Sequence, residues 1–290
     1  MSTATPTLDG FVHWAASRGY ATSTVDGHAA VITRWKRSRM EPLAWLVAQQ
    51  EASRSRSTNG LPTASVKRYQ QALQAWFEYS TGQRPSWVLP RYVRRAKPQP
   101  AAVLTITEEQ AVRAALRPET GPREPQGGIC RLLLATGARV GEVTGLRLDE
   151  VETQPSGVIL VHFMRTKTRV PRAVPLLPAD AADLAGYLAG GRPTSRSRWV
   201  FPSPHNQGRK AMSDASVRGF LAMLGAELGI ERLHPHAFRH LVATRMTEAG
   251  VAPDIRMAVL GQTSRGVAQG YQHPGAESLR TALAAGRRGK

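Results

Sequence analysis

Four short stretches hold residue types suited to handling a charged oxygen group. They are Ala-Thr-Gly-Ala-Arg-Val-Gly-Glu-Val-Thr-Gly-Leu-Arg at 135–147, Arg-Thr-Lys-Thr-Arg at 165–169, His-Pro-His-Ala-Phe-Arg-His at 234–240 and Leu-Gly-Gln at 260–262, with Tyr271 nine residues beyond Gln262. Arginine stays charged and offers oxyanions a fork of N–H donors. Histidine moves protons near neutrality, and a tyrosine hydroxyl becomes a nucleophile when a base removes its proton. Taken singly, each stretch is weak. A basic chain of this size contains His-x-x-Arg pairs by chance, a turn lysine is ordinarily solvated, and Arg139 with Glu142 has the i, i+3 spacing of a helix ion pair. The single cysteine, Cys130, stands in an apolar run and reads as a small buried hydrophobe. It excludes an internal disulfide, which fits a reducing, cytoplasmic setting.

The elements that must position these residues divide in two. The first part reads as helices, over Leu8 to Arg18, from Thr22 or Ser23, from Pro42 and from near Thr63. Their aromatic residues read as core. The second helix carries Arg34, Lys36, Arg37 and Arg39 on its other face, and the fourth carries Lys67 and Arg68, which suggests contact with backbone phosphates. A proline-rich stretch follows that includes Arg94 and Arg95 and no acidic residue, the composition of a semi-rigid basic linker. We therefore expect a helical domain at 1–90, a linker at 91–103 and a larger domain at 104–290. In the last, Thr107 and Gln110 suggest a capping box, and a buried helix spans Ile129 to Leu134. Val158 to Phe163 and Val170 to Leu176 pair as a hairpin around the 165–169 turn. Helices follow at Ser213 to Leu228, His236 to Ala249, Pro253 to Leu260 and Ala276 to Ala285. The fold class expected is mainly α with a small antiparallel sheet.

Charge points to a polyanion. The 290 residues hold 39 Lys and Arg against 21 Asp and Glu, a net of +18, and residues 1–100 carry half of that surplus in a third of the length. Lysine and arginine neutralise phosphates and release counterions, so nucleic acid is favoured over an anionic membrane. No stretch approaches the ~20 apolar residues of a spanning helix, and the N-terminus has no signal-like apolar region, so a soluble protein with no membrane partner is expected.

The four stretches, in this order and spacing, resemble the tyrosine recombinases, or phage integrases. That family carries Thr-Gly-x-Arg-x-x-Glu-x-x-x-Leu, a lysine in a β-hairpin turn, His-x-x-Arg-His, and Leu-Gly-His with a tyrosine nine residues on. The resemblance covers residues 103–285 by motif and the first ninety by architecture alone. It implies a helical, SAM-like core-binding domain and a catalytic domain that together close on DNA as a C-shaped clamp. It also implies a catalytic set of Arg139, Lys167, His236, Arg239, Gln262 and Tyr271. The implied partners are double-stranded DNA recombination sites, further copies of the chain in a tetramer and, for some members, a directionality factor. No cofactor and no metal are implied.

The chemistry agrees with the resemblance. Attack on a phosphodiester builds negative charge on the non-bridging oxygens, and without a metal that charge needs fixed donors. Arg139 and Arg239 would supply them, with Glu142 orienting Arg139. Tyr271, of ordinary pKa near ~10, needs a proton acceptor, for which His236 is suited. Lys167 would protonate the departing 5′ oxygen. His240 is expected to be structural, and His234 and His273 not to take part. Gln262 departs from the family's His or Trp; its amide still donates a hydrogen bond but carries no charge. The tail helix is one that in relatives packs into a neighbouring protomer, and the short stretch before the first helix fits the simpler two-domain members. Other classes weighed are a DNA-binding protein that keeps the fold without catalysis, a type IB topoisomerase, and a metal-dependent transposase, whose carboxylate cluster has no visible counterpart.

Overall fold

A computed structural model describes residues 5–55, 63–87, 103–117, 124–166, 171–193, 196–262 and 275–287. The chain divides into two compact units, Met1–Pro100 and Ala101–Lys290. The expected linker at 91–103, with Arg94 and Arg95, lies outside the described residues but for Val103.

The first unit contains α1 (Leu8–Ser17), α2 (Thr22–Ser38), α3 (Pro42–Ser55) and α4 (Thr63–Thr81). The Thr7 hydroxyl accepts from the Gly10 N–H at 3.1 Å and so caps α1. α2 packs on α4, and Phe11, Ile32, Trp45, Leu46, Leu73 and Trp76 form the core. These aromatics are core, as their spacing suggested. Arg34, Lys36, Arg37, Lys67 and Arg68 are all exposed. Two are tethered nonetheless: Arg34 donates to the Tyr69 hydroxyl at 3.1 Å, and the Lys36 ammonium lies 3.8 Å from the Trp76 ring centroid.

The second unit begins with α5 (Ile106–Ala115). Its cap is Thr105 with Glu108, two residues before the expected Thr107 and Gln110; the Thr105 hydroxyl accepts from Glu108 N–H at 3.2 Å while the Glu108 carboxylate accepts from Thr105 N–H at 2.7 Å. Both pairs have the i, i+3 spacing; the earlier one forms the cap, and Glu109 within the first turn is buried and paired with Arg113 and Arg245. Next comes α6 (Gln126–Thr136), apolar and buried over most of its surface, with Arg131 on its one charged side paired to Glu124 at 2.6 Å. Cys130 sits within it, wholly enclosed, and burial pushes its thiol pKa far up.

After the short α7 (Val140–Thr144), a three-stranded antiparallel sheet runs in the order β1 (Val151–Thr153), β2 (Ile159–Phe163), β3 (Arg172–Pro175). The hairpin is the expected one, and its register pairs Phe163 with Arg172 and Val161 with Val174. Strand β1 was not anticipated. α8 (Pro178–Gly186), α9 (Asp214–Leu228), α10 (Pro235–Glu248), α11 (Pro253–Leu260) and α12 (Ala276–Arg287) complete the unit. α10 crosses α6 and also carries α11 and α12. Among the described residues, no helix is long and apolar enough to cross a membrane.

Candidate active site

The tripeptide Leu260-Gly261-Gln262 ends α11 as a Schellman turn. Gly261 adopts the left-handed conformation at φ 59°; its N–H donates to Ala258 at 3.3 Å, and the Gln262 N–H donates to Met257 at 3.0 Å. A helix C-terminus leaves carbonyls without intrahelical partners and carries partial negative charge. Here three arginines from three other elements satisfy them. Arg172 Nε donates to the Val259 carbonyl at 2.9 Å, Arg239 donates to the Leu260 carbonyl at 2.6 Å, and Arg139 donates to the Gly261 carbonyl at 3.3 and 3.4 Å.

Each arginine is held by a second contact. Arg139 occupies the N-cap of α7; its backbone N–H and its guanidinium each donate to the Glu142 carboxylate at 2.9 Å. The i, i+3 ion pair expected from the spacing is present. Arg239, on the buried face of α10, donates to the Gly137 carbonyl at 2.9 Å. Gly137 ends α6 with φ 62°, and a Cβ there would stand 2.8 Å from Leu260 Cδ2, so the ends of α6 and α11 meet where a side chain would part them. Arg172 shares Glu142, donating to its second oxygen at 2.8 Å, and lies 4.7 Å from the Phe163 ring centroid.

Two of these guanidiniums share one carboxylate and the third bonds only to carbonyls, so positive charge is in excess, an arrangement in need of an anion. Burial opposes ionisation of Glu142, but the bonds and charge of Arg172 and Arg139 outweigh it and hold its pKa below the ordinary carboxylate value. Arg239 has no acidic partner in hydrogen-bond range among the described residues. Burial first, then the positive charge of Arg139 and Arg172 against the opposing pull of Glu142, brings its pKa down to about 10. It is still charged at neutral pH, and an arriving anion would relieve that cost.

His236 lies in the first turn of α10, exposed. Partial burial and the nearby His234, Arg239, His240 and Arg139 lower its pKa, which keeps the imidazole neutral and able to accept a proton. His234 is the N-cap of α10, its Nδ1 accepting from the Ala237 N–H at 3.2 Å, a structural duty that agrees with its being read as non-chemical. His240 is exposed rather than packed into the core, so the expected structural role is not one of burial. Gln262 is exposed beside the Gly261 carbonyl. Lys167, Tyr271 and His273 lie outside the described residues.

Sequence reasoning missed Arg172 and the carbonyls of residues 137 and 259–261. One signal was available for Arg172. In a strand alternate residues share a face, so Arg172 falls on the same side as Val174 and Leu176, both buried. An arginine at an inward strand position calls for a partner.

Residues 104–277, well over half the chain, match the model of the phage integrase family. The chain is 26% identical to tyrosine recombinase XerD of Bifidobacterium longum (strain NCC 2705), over 92% of each chain. It is 29% identical to tyrosine recombinase XerC of Mycobacterium tuberculosis (strain ATCC 25177 / H37Ra), over 82% of this chain and 79% of that one. Among solved structures, the Tn1549 transposon integrase in complex with circular intermediate DNA aligns with a TM-score of 0.66 at 17% identity, covering 96% of this chain and 98% of the other, a likeness of fold. With its match spanning the stretches that carry Arg139, His236, Arg239 and Tyr271, the chain belongs to the phage integrase family.

Proposed function

We propose that this chain is a site-specific DNA recombinase that cuts and rejoins strands through a 3′-phosphotyrosyl intermediate at Tyr271. The observation that carries the reading is the convergence of Arg139 and Arg239, a hundred residues apart in sequence, on adjacent carbonyls at the end of α11. Their remaining N–H groups would hold the two non-bridging oxygens of the scissile phosphate. His236, kept neutral by its surroundings, takes the Tyr271 proton as the phenolic oxygen attacks phosphorus. The bond from phosphorus to the 5′ oxygen breaks, and Lys167 gives that oxygen its proton. Gln262 adds a neutral hydrogen bond. In the reverse direction a 5′-hydroxyl from a second duplex attacks the phosphotyrosine, so the phosphodiester energy is conserved. Four protomers on two DNA sites would carry this out twice, through a Holliday junction, with any directionality factor biasing the outcome. The exposed Arg34, Lys36, Arg37, Lys67 and Arg68, with Arg94 and Arg95, would supply backbone contacts that position the duplex. The reading places the protein with DNA in a bacterial cytoplasm.

The test uses a pool of duplexes with randomised arms, each nicked close to the central cleavage region so that the cut strand diffuses away. Covalent capture by the wild-type protein, followed by resynthesis of the captured sequences as pure substrates, should give an adduct that Tyr271→Phe abolishes. Site-specific binding with no adduct would mark a DNA-binding protein instead, and relaxation of plasmids regardless of sequence would mark a topoisomerase.

A further inference from the structure

Resting on the recombinase reading, we propose that Arg172 is a positioning residue of the active site, whose guanidinium fork fixes Glu142 and the end of α11 in the register that aims Arg139. Its side chain is 8% exposed, too enclosed to meet a phosphate. Its bonds all run to the groups around the phosphate-binding arginines. One arm holds the Glu142 oxygen that also accepts the Arg139 backbone N–H, and the other holds the Val259 carbonyl. The flat face rests on Phe163, its cross-strand partner, which prevents the fork from turning. One guanidinium thereby ties β3, α7 and α11 together.

Two further observations point the same way. Nη1 of Arg172 is buried without a hydrogen-bond partner among the described residues, a cost retained although a smaller residue would avoid it. It is aimed at Gly261: a Cβ on that residue would lie 2.6 Å from Nη1 and 2.9 Å from Cζ. The glycine of Leu-Gly-Gln thus has a second reason to be glycine besides its positive φ, because it leaves the space the Arg172 fork fills. Charge balance adds a third consideration. With Arg172 present, Glu142 divides its charge between two arginines. Without it, the carboxylate would pair with Arg139 alone and draw that guanidinium from the phosphate.

The test measures single-turnover adduct formation at saturating DNA on the nicked substrates captured by the wild-type protein, alongside half-site affinity and thermal melting. Arg172→Lys keeps the charge but not the fork, and should slow the chemical step by about ten- to a hundredfold, with half-site Kd within about twofold. Arg172→Gly should behave likewise and regain rate when guanidinium chloride is supplied at tens of millimolar, well below the roughly molar range that unfolds proteins. Arg172→Met should partly recover when Glu142→Gln is added, since the unbalanced carboxylate is then gone. Arg172→Lys reacting at the wild-type rate would overturn the proposal, as would rate and half-site affinity falling together with no response to guanidinium. A wild-type protein that forms no adduct would instead overturn the recombinase reading on which the proposal rests.

Discussion

Arg139 and Arg239 offer the same group to the site from different surroundings, and substituting them should have separable effects. Arg139 keeps a partly open side chain and a carboxylate partner, whereas Arg239 is buried between the Gly137 and Leu260 carbonyls. Arg139→Gln should therefore slow cleavage by about a hundredfold or more, the cost of losing one preorganised donor to a developing oxyanion, while lowering the melting temperature less than Arg239→Gln does, since Arg172 still pairs with Glu142. Arg239→Gln should lose activity and stability together, because buried carbonyls left unsatisfied cost about 1–3 kcal/mol each; melting and single-turnover rates on the same samples distinguish the two. His236 gives a pH prediction. Its pKa is lowered, so the reactive neutral form persists below the ordinary histidine value of ~6.5. The acid limb of cleavage should have its midpoint below that value, and His236→Gln should remove that limb along with most of the rate. A midpoint at or above ~6.5 would contradict this.

At the scale of elements, the end of α11 is a template. Its three carbonyls are fixed by helix geometry before any substrate arrives, and each receives an arginine. Gly261→Ala should consequently do more than strain a left-handed residue by about 1–2 kcal/mol. The added methyl would displace Arg172 and Glu142, so cleavage should fall by more than the change in melting temperature accounts for. Gln262→His places a charge-bearing donor at this position, and should speed cleavage and strand exchange several-fold; unchanged rates would show that this position does not limit the reaction. Much of this scale was legible in the sequence. Helical periodicity set apart α1 to α4 and α9 to α11, and the β-branched run found β2. Strand β1 escaped because three residues, two of them exposed, carry no readable alternation. The α5 cap was placed two residues late because two Thr-x-x-acceptor pairs overlap there. The arginine-to-carbonyl bonds could not be read at all, since a motif spells out the donor and says nothing of a backbone acceptor a hundred residues away.

At the scale of the molecule, α12 packs into its own unit. Residues Leu279, Ala282 and Leu283 are buried in the core of the second unit, against α10, α11 and β3, and Arg287 pairs with Asp180. Deleting 275–290 would expose that core, so it cannot separate assembly from folding as a tail reaching into a neighbour would allow. Leu283→Ala should cost about 2–5 kcal/mol, visible as a lowered melting transition of the second unit. The first unit carries its charge on exposed side chains with an aromatic core beneath. Neutralising Lys67 and Arg68 together should weaken half-site binding and flatten its salt dependence by about one to two charges, without altering the cleavage rate of the bound complex. The assignment of Tyr271 as the nucleophile rests on motif order and family resemblance, and it is open to direct attack. Protease digestion of the trapped protein–DNA adduct, followed by mass spectrometry of the nucleotide-bearing peptide, identifies the linked residue. A 3′-phosphate joined to Tyr271 is the expected result; a 5′-linkage, or a link to any other residue, would contradict the proposed mechanism.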